Sequence, residues 1–164
     1  MILMKEQKQK SEELKEVMRK TLSPRHHAML YAYIVRSCRK LPYGDVEQVI
    51  EKITVEYGRR RGRRMAARAA RDKMPLTALN YEAYQEWQAL PGDTESGIDL
   101  DAEEIHVFSK RCPWYDAWQA NDMLACGRPY CRLIDEALVS GFNESIAFET
   151  AASRTNGGEA CDFY

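Results

Sequence analysis

The chain has 164 residues, of which 45% are apolar and 30% charged, and its net charge is −1. That length suffices for one domain with its own core, and the near-neutral charge excludes a global field that attracts nucleic acid or anionic membranes. Because no apolar stretch has the length of a membrane span and only four apolar residues precede the first charge, we expect neither a membrane segment nor a secretory signal. We therefore expect a cytoplasmic protein with one domain over residues 1–164 and no nucleic-acid or membrane partner.

The first half of the chain predicts helices. Apolar residues recur at helical spacing over residues 5–21, and Ser23-Pro24 marks the start of a second helix. The predicted buried stripe of this second helix is Leu30, Tyr33, Ile34, Ser37, Cys38 and Leu41. A third helix follows Asp45, continues through an arginine-rich stretch, and is predicted to bury Val46, Val49, Ile50, Ile53 and Tyr57. A shorter amphipathic segment lies around residues 76–90.

The second half predicts both strands and helices. Alternation predicts a strand near 103–110, and residues 114–125 have the pattern of a helix. A further helix is predicted to open at Pro129 and to end at "SGFN". "SIAFETAAS" and "EACDFY" predict two strands of a hairpin around "TNGG". The expected fold class is therefore α+β, with a helical N-terminal half followed by a small antiparallel sheet flanked by helices.

Seven arginines fall between residues 59 and 71. A basic helix can bind phosphates, but six acidic residues between 93 and 104 can answer these charges and no aromatics are interleaved as a stacking platform. A solvated, ion-paired face is therefore favoured over nucleic-acid binding. Gly58 and Gly62 leave a notch on one helix face, and Arg61 beside it is placed to hold a carboxylate in a bidentate pair.

Five cysteines, an odd number without any C-x-x-C pair, argue against a disulfide framework and a zinc knuckle, so we expect no metal and no cofactor. Each cysteine taken singly is best explained as a small buried residue. Cys131 and Asp135, however, share one helix face, and Cys131 is predicted to lie in the first turn, where the helix dipole favours a thiolate. Cys112 lies at a strand-to-helix junction. His106 is either a general base near a thiol or a half-exposed strand residue.

Four blocks of the sequence resemble a known family. "YGRRRGRRMA", "HVFSKRCPWYDAW", "YCRLIDEALVSGFN" and "TNGGEACDFY" are similar to blocks of the L-2-amino-thiazoline-4-carboxylic acid hydrolase-like family. The resemblance covers residues 45–164 and leaves residues 1–44 as a helical N-terminal extension. The positions that match the family's blocks are Tyr57, Gly58, Arg61, Gly62, Cys112, Cys131, Asp135, Asn143 and Cys161.

The resemblance implies a hydrolase that opens a cyclic amidine such as 2-aminothiazoline-4-carboxylate, the namesake reaction of bacterial cysteine production. The catalytic candidates are Cys112 as first choice for a nucleophile, Cys131 as second, Asp135 as the group that pairs with the amidinium or relays protons, and His106 as a base. The substrate-binding candidates are Arg61 for the 4-carboxylate, together with Asn143, Tyr57 and Cys161.

Two other functional classes remain open at this stage. The ending "GGEACDFY" is also similar to vinyl-reductase-type sensor domains, which bind organic ligands without catalysis and often hold zinc through cysteines. Those domains carry another cysteine shortly before the last one, and the segment between Phe142 and Cys161 has none. The basic helix leaves nucleic-acid binding as a third reading. Trp87, Trp114 and Trp118 belong either to a pocket or to a homo-oligomer contact.

Overall fold

The chain forms helices and a four-stranded sheet over the residues that this computed structural model describes, namely 24–42, 44–86, 105–164 and the backbone of 95–100. The helices are α1 (Pro24–Cys38), α2 (Val46–Arg71), α3 (Ala78–Ala83), α4 (Pro113–Ala120) and α5 (Leu124–Phe142). The strands are β1 (Glu95–Leu100), β2 (Ile105–Arg111), β3 (Thr150–Ala152) and β4 (Cys161–Phe163), and a 3₁₀ turn covers Arg154–Asn156. The helix predicted over 5–21 lies outside the described residues.

The sheet has the strand order β1-β2-β4-β3, and every neighbouring pair is antiparallel. The C-terminal hairpin is present as predicted, with Ala152 of β3 opposite Asp162 of β4. Strand β2 confirms the strand predicted near 103–110, whereas its partner β1 was not predicted. The α+β class with an antiparallel sheet beside a helical N-terminal half is therefore confirmed.

Helices α2 and α5 pack closely because both carry glycines where they cross. A Cβ atom at Gly58 would lie 2.6 Å from the Cβ of Ala137, and one at Gly62 would lie 2.6 Å from the backbone nitrogen of Phe142. The predicted notch of α2 therefore exists, but the backbone of α5 fills it. This contact holds the arginine-rich helix against the helix that carries Cys131 and Asp135.

Helix α5 begins five residues earlier than predicted, at Leu124, and Pro129 lies inside it. A proline has no N–H to donate to the carbonyl four residues before it, which would leave the Ala125 carbonyl without its helical partner. Arg39 supplies that partner, since its Nη1 donates to the Ala125 oxygen over 2.9 Å. The helix predicted over 114–125 is correspondingly divided by a turn at Asp122, whose φ is 54°.

The buried faces of α1 and α2 differ from the predicted stripes. In α1 the residues Ala28, Ala32 and Val35 are buried, whereas Leu30 and Ile34 are more than half exposed. Alanines occupy the buried face because α1 lies close to Trp118, whose Nε1 donates to the Ala28 carbonyl over 2.7 Å. Large side chains would not fit at that approach.

The same correction applies to other predicted core positions. Exposed side chains include Tyr33, Leu41, Val49, Ile53 and Tyr57. The predicted burial of Ile50 is confirmed, whereas Thr54 is buried on the same face of α2 without having been predicted. The Thr54 hydroxyl lies 2.9 Å from the Tyr31 hydroxyl of α1. None of the helices in the described part of the chain combines the length and the apolar character that crossing a bilayer requires.

Candidate functional site

A cavity of about 1110 Å³ lies between one face of the sheet and helices α2, α3 and α5. Strand β2 lines it with Ile105, Val107 and Ser109, which alternate along the strand and therefore share one face. Strand β4 adds Cys161 and Phe163 by the same alternation. The antiparallel register sets Cys161 directly opposite Ser109, three residues before Cys112.

Six residues predicted for the site line this cavity. They are Tyr57, Arg61, Cys112, Cys131, Asp135 and Cys161. They come from α2, from the β2–α4 junction, from α5 and from β4, so residues far apart in the sequence meet on one wall. A pocket of this kind, largely apolar with a few convergent polar groups, is typical of a small-molecule site.

Cys112 lies between β2 and α4, at the junction predicted from the sequence. Burial raises the pKa of its thiol, and the backbone N–H groups of Tyr115 and Trp114 at the start of α4 act in the opposite direction, although the Cys112 side chain forms no capping hydrogen bond to α4. These N–H groups stabilise the negative charge of the thiolate that forms when Cys112 loses its proton.

Cys131 does not lie in a first helical turn, because α5 begins at Leu124. The predicted dipole effect on its thiol is therefore wrong. Burial instead raises the pKa of the Cys131 thiol well above its ordinary value, with smaller contributions from Cys112, Asp135 and Cys161. The Thr155 side chain acts in the opposite direction but is the weakest of these influences. Burial therefore keeps Cys131 a protonated thiol at neutral pH.

The loop between β3 and β4 holds the third thiol. The backbone N–H of Arg154 donates to the Cys161 sulfur over 3.4 Å, and the Ser153 and Thr155 hydroxyls lie 2.9 Å apart. Burial raises the pKa of Cys161 as well. Arg154 is itself fixed by Asp116 at 3.1 Å, so the loop is tied to α4.

Asp135 is a carboxylate with the features of a binding or catalytic residue. Within the described part of the chain, no group donates a hydrogen bond to it, although it lines the cavity from the middle of α5. Burial raises its pKa to about 6; the Arg61 charge lowers it and the Glu82 charge raises it. A buried, unbonded carboxylate that titrates near neutrality is characteristic of a binding or catalytic site.

Arg61 reaches the cavity from α2 but already has partners. Its Nε donates to Glu86 over 3.1 Å and its Nη1 to the Tyr130 hydroxyl over 3.5 Å, and only 11% of the side chain is exposed. Arg64 also pairs with Glu86, at 2.8 Å. Arg61 is thus held by a carboxylate of the protein itself.

Comparison with known proteins gives one match. The model of the family described as L-2-amino-thiazoline-4-carboxylic acid hydrolase matches residues 23–164. The chain belongs to this family. The match begins at residue 23, so it includes α1 as well as the region 45–164 on which the sequence resemblance rested. No curated protein and no solved structure matches the chain.

Two predicted site residues of this hydrolase-family protein lie outside the cavity wall. His106 is on the opposite face of β2 from Val107, where its ring stacks on Tyr164 at 4.5 Å and its Nε2 lies 3.4 Å from Asp162. Asn143 follows the end of α5; its Nδ2 donates to the Leu76 carbonyl over 2.8 Å and its Oδ1 accepts from the Ser145 N–H. Asn143 thereby fastens the segment that precedes α3.

Several cavity residues were not found from the sequence. Glu82 and Glu86 come from α3 and the residues after it, and Tyr81 and Tyr130 supply aromatic faces. Trp114, for which the sequence left a pocket or an oligomer contact open, also lines the cavity. Trp114 stacks on Tyr130 with centroids 4.4 Å apart and planes 10° apart. The available signal was the four-residue spacing of Glu82 and Glu86, which resembles an ordinary solvated helix face.

The described part of the chain contains no cluster of side chains suited to hold a metal ion. No group of three or more histidine, cysteine, aspartate or glutamate side chains there is arranged to hold an ion. The three thiols and Asp135 share the cavity wall without forming such a group. The zinc-holding alternative therefore gains no support from these residues.

Proposed function

We propose that this protein hydrolyses the ring of a small cyclic amidine of the thiazoline type. Its family membership supports the reaction class. The observation that carries the proposal is Asp135, a carboxylate without a hydrogen-bond donor in a cavity that Cys112, Cys131 and Cys161 also line. An amidinium has two parallel N–H groups, and a carboxylate accepts both in a forked, charge-assisted pair.

Pairing with Asp135 activates the ring in two ways. It keeps the amidinium protonated, which leaves the ring carbon between nitrogen and sulfur electrophilic. It also replaces the substrate's hydration with a fixed negative charge, which holds that carbon in one orientation. A carboxylate with a pKa of about 6 is ionised at neutral pH and can also accept a proton as a general base.

Cys112 is the proposed nucleophile. Its thiol is protonated at neutral pH, because burial raises its pKa, and its proton passes to the Asp135 carboxylate as the sulfur attacks. The backbone N–H groups of Trp114 and Tyr115 stabilise the sulfur as it becomes negative. The ring carbon–sulfur bond of the adduct then breaks, the ring sulfur leaves and takes up that proton from Asp135, and the former ring carbon stays bonded to Cys112.

Water then completes the reaction. It adds to the carbon held on Cys112, the Cys112 sulfur leaves, and the product is a urea that carries the free thiol of the opened ring. Cys131 and Cys161 remain protonated wall residues, and Tyr57 and Arg61 complete the rim on α2. His106 and Asn143 take no part in these steps, since neither lines the cavity.

The test is Cys112→Ser, with Cys38→Ser as the matched control. Cys38 lies at the end of α1, is partly buried and does not line the cavity. Turnover of 2-amino-2-thiazoline and of its 4-carboxylate is measured as the thiol released from the opened ring. The thiols of the protein itself are subtracted by a sample of each variant without substrate. We expect kcat/KM to fall at least about 100-fold in Cys112→Ser and less than twofold in Cys38→Ser.

Two outcomes would contradict parts of this proposal. Unimpaired turnover in Cys112→Ser would remove the covalent step and leave water, activated by Asp135, as the nucleophile. Absence of turnover of both compounds by the wild-type protein would refute the proposed hydrolysis of thiazoline-type rings.

A further inference from the structure

The cavity has an acidic balance among the described residues that line it. Its carboxylates are Glu82, Glu86, Asp135 and Glu149, whereas Arg61 is its one guanidinium or ammonium group in the described ranges. Arg61 is bound to Glu86, with a second arginine, Arg64, on the outer side of the same carboxylate. The guanidinium charge of the wall is therefore already paired within the protein, and His27 is the remaining basic side chain among the described lining residues.

No ion pair within the described part of the chain involves Glu82 or Asp135. The Arg61 charge acts on Asp135 and lowers its pKa, but Arg61 forms its ion pair with Glu86. Glu82 is partly buried on α3, and its side chain is hydrogen-bonded to Gln85. Its charge acts on Asp135 strongly enough to be among the causes that raise the Asp135 pKa, so the two carboxylates face the same space.

Two carboxylates that face one cavity repel each other and are both poorly hydrated, which is unfavourable until a cation enters. Burial raises the pKa of Glu82 just as it raises that of Asp135, and both shifts register this cost. A ligand with one positive charge attracts both carboxylates and also reduces the repulsion between them. A ligand with a carboxylate of its own adds a third negative charge, for which the described part of the wall offers a guanidinium already bound to Glu86 and the side chain of His27.

The aromatic lining fits a flat cation in the same space. Trp114 and Tyr130 stack on each other, and Tyr81 lies on the α3 side of the cavity next to Glu82. Ring faces attract cations through their negative quadrupole, and they exclude water from the contact. A planar amidinium satisfies both the carboxylates and these rings. A carboxylate on the neighbouring tetrahedral ring carbon adds a negative charge that interacts favourably with neither.

We propose that Glu82 is a specificity-determining residue, and that Glu82 and Asp135 together select a planar cyclic amidinium without a carboxylate over the corresponding amino acid. This inference rests on the proposed function and narrows its substrate class. The preferred ligand is a monocation such as protonated 2-amino-2-thiazoline. The 4-carboxylate, a zwitterion with the same ring, is disfavoured. Arg61 is a positioning residue that holds Glu86 and Tyr130, not the receptor of a substrate carboxylate.

The experiment measures binding and turnover of these two compounds separately. Calorimetric Kd values are determined for wild-type protein, Glu82→Gln and Glu56→Gln, and kcat/KM is determined on the same preparations. Glu56 is an exposed residue of α2 outside the cavity, and its substitution removes the same charge from the whole molecule. Glutamine keeps the size of Glu82 and a hydrogen bond to Gln85.

We expect wild-type protein to bind the cation at least about tenfold more tightly than the zwitterion, a difference of about 1.4 kcal/mol. Glu82→Gln should weaken binding of the cation about fivefold or more and leave the zwitterion unchanged or slightly better bound. Glu56→Gln should change neither. A wild-type preference for the 4-carboxylate, or an equal effect of Glu82→Gln on both compounds, would overturn the inference, as would failure of both compounds to bind.

The outcomes separate this inference from the proposed function. If the protein opens both rings but prefers the 4-carboxylate, hydrolysis stands and the selection by charge is wrong. If the cation binds preferentially and depends on Glu82 but is never opened, the selection stands and the proposed hydrolysis is wrong. The charge selection and the hydrolysis can therefore be refuted independently of each other.

Discussion

Asp135 combines two properties that oppose each other in a single residue. It lies on a buried face of α5 without a hydrogen-bond donor, and yet its pKa of about 6 leaves it ionised at neutral pH. Folding places this carboxylate in an environment that penalises its charge, and the Arg61 charge offsets only part of the penalty. The residue thus costs stability at neutral pH in return for a negative charge inside the cavity.

The sign of the pH dependence follows from this raised pKa. The folded chain holds the Asp135 proton more tightly than the unfolded chain does, so its favourable contribution is complete below about pH 4 and is lost as the pH rises through about 6. Asp135→Asn should therefore gain stability relative to wild type between pH 4 and pH 7, by up to about 3 kcal/mol. Urea denaturation at several pH values measures this difference.

The matched control is Asp122→Asn. Asp122 is exposed in the turn before α5, and its φ of 54° suits asparagine as well as aspartate. Its substitution should change the free energy of unfolding by less than about 0.5 kcal/mol. A stability gain in Asp135→Asn that is the same at pH 4 and pH 7 would show that the carboxylate is not held against its charge. Asp135→Asn should also abolish turnover, since the substrate amidinium loses the carboxylate that pairs with it.

Among the elements, the contact between α2 and α5 has the least tolerance for added volume. A Cβ atom at Gly62 would meet backbone atoms of α5, including the Leu138 carbonyl oxygen and, at 2.6 Å, the Phe142 nitrogen. Backbone atoms within a helix cannot rotate away as a side chain can. The two helices would have to separate, and the wall that carries Arg61 and Asp135 would separate with them.

Gly62→Ala should therefore destabilise the protein by about 3 kcal/mol or more, against a helix propensity that by itself favours alanine by about 1 kcal/mol. Gly44→Ala is the control, because a Cβ atom there has nothing within 4 Å and Gly44 does not have a positive φ. That control should be neutral or slightly stabilising. Comparable free energies of unfolding for the two variants, measured by urea denaturation, would show that α2 and α5 do not approach closely.

The start of α5 could not be predicted from the neighbouring residues alone. Proline is favoured in a first helical turn, so Pro129 indicated a helix start. It lies inside the helix, where Arg39, ninety positions earlier and directly after the end of α1, donates to the carbonyl that Pro129 leaves unpaired. A compensation supplied by a distant residue has no local signature. The end of the same helix was predicted correctly, because "SGFN" carries its own stop signal.

For the whole molecule, the candidate site was only partly predictable from the sequence. Cys131 and Asp135 share a face in any helix, and Cys112 follows a strand that its own alternation indicates. Cys161 joins them through the pairing of β2 with β4, which no local pattern fixes. Glu82 and Glu86 reach the cavity from α3 and the residues after it, and Asn143 ties the segment before α3 to the end of α5. Their contribution depends on tertiary packing.

The position of the core is a property of the whole molecule, and it tests the fold most directly. Ile50 and Ile53 lie three residues apart on α2, and the sequence predicts burial of both. The fold leaves 6% of Ile50 exposed and 60% of Ile53. Packing of α2 against α5 through the Gly58 and Gly62 face turns Ile53 outward, because one helix cannot present both faces to the same partner.

Ile50→Ala should consequently cost about 2–5 kcal/mol of unfolding free energy, whereas Ile53→Ala should cost less than about 0.5 kcal/mol. The two variants remove the same atoms from the same helix, so helix propensity and side-chain chemistry cancel in the comparison. Urea denaturation with a common m-value measures both changes. If Ile53→Ala were the more costly, the face that carries Ile53 would be buried in the folded protein, and the orientation of α2 that places Tyr57 and Arg61 at the cavity would be wrong.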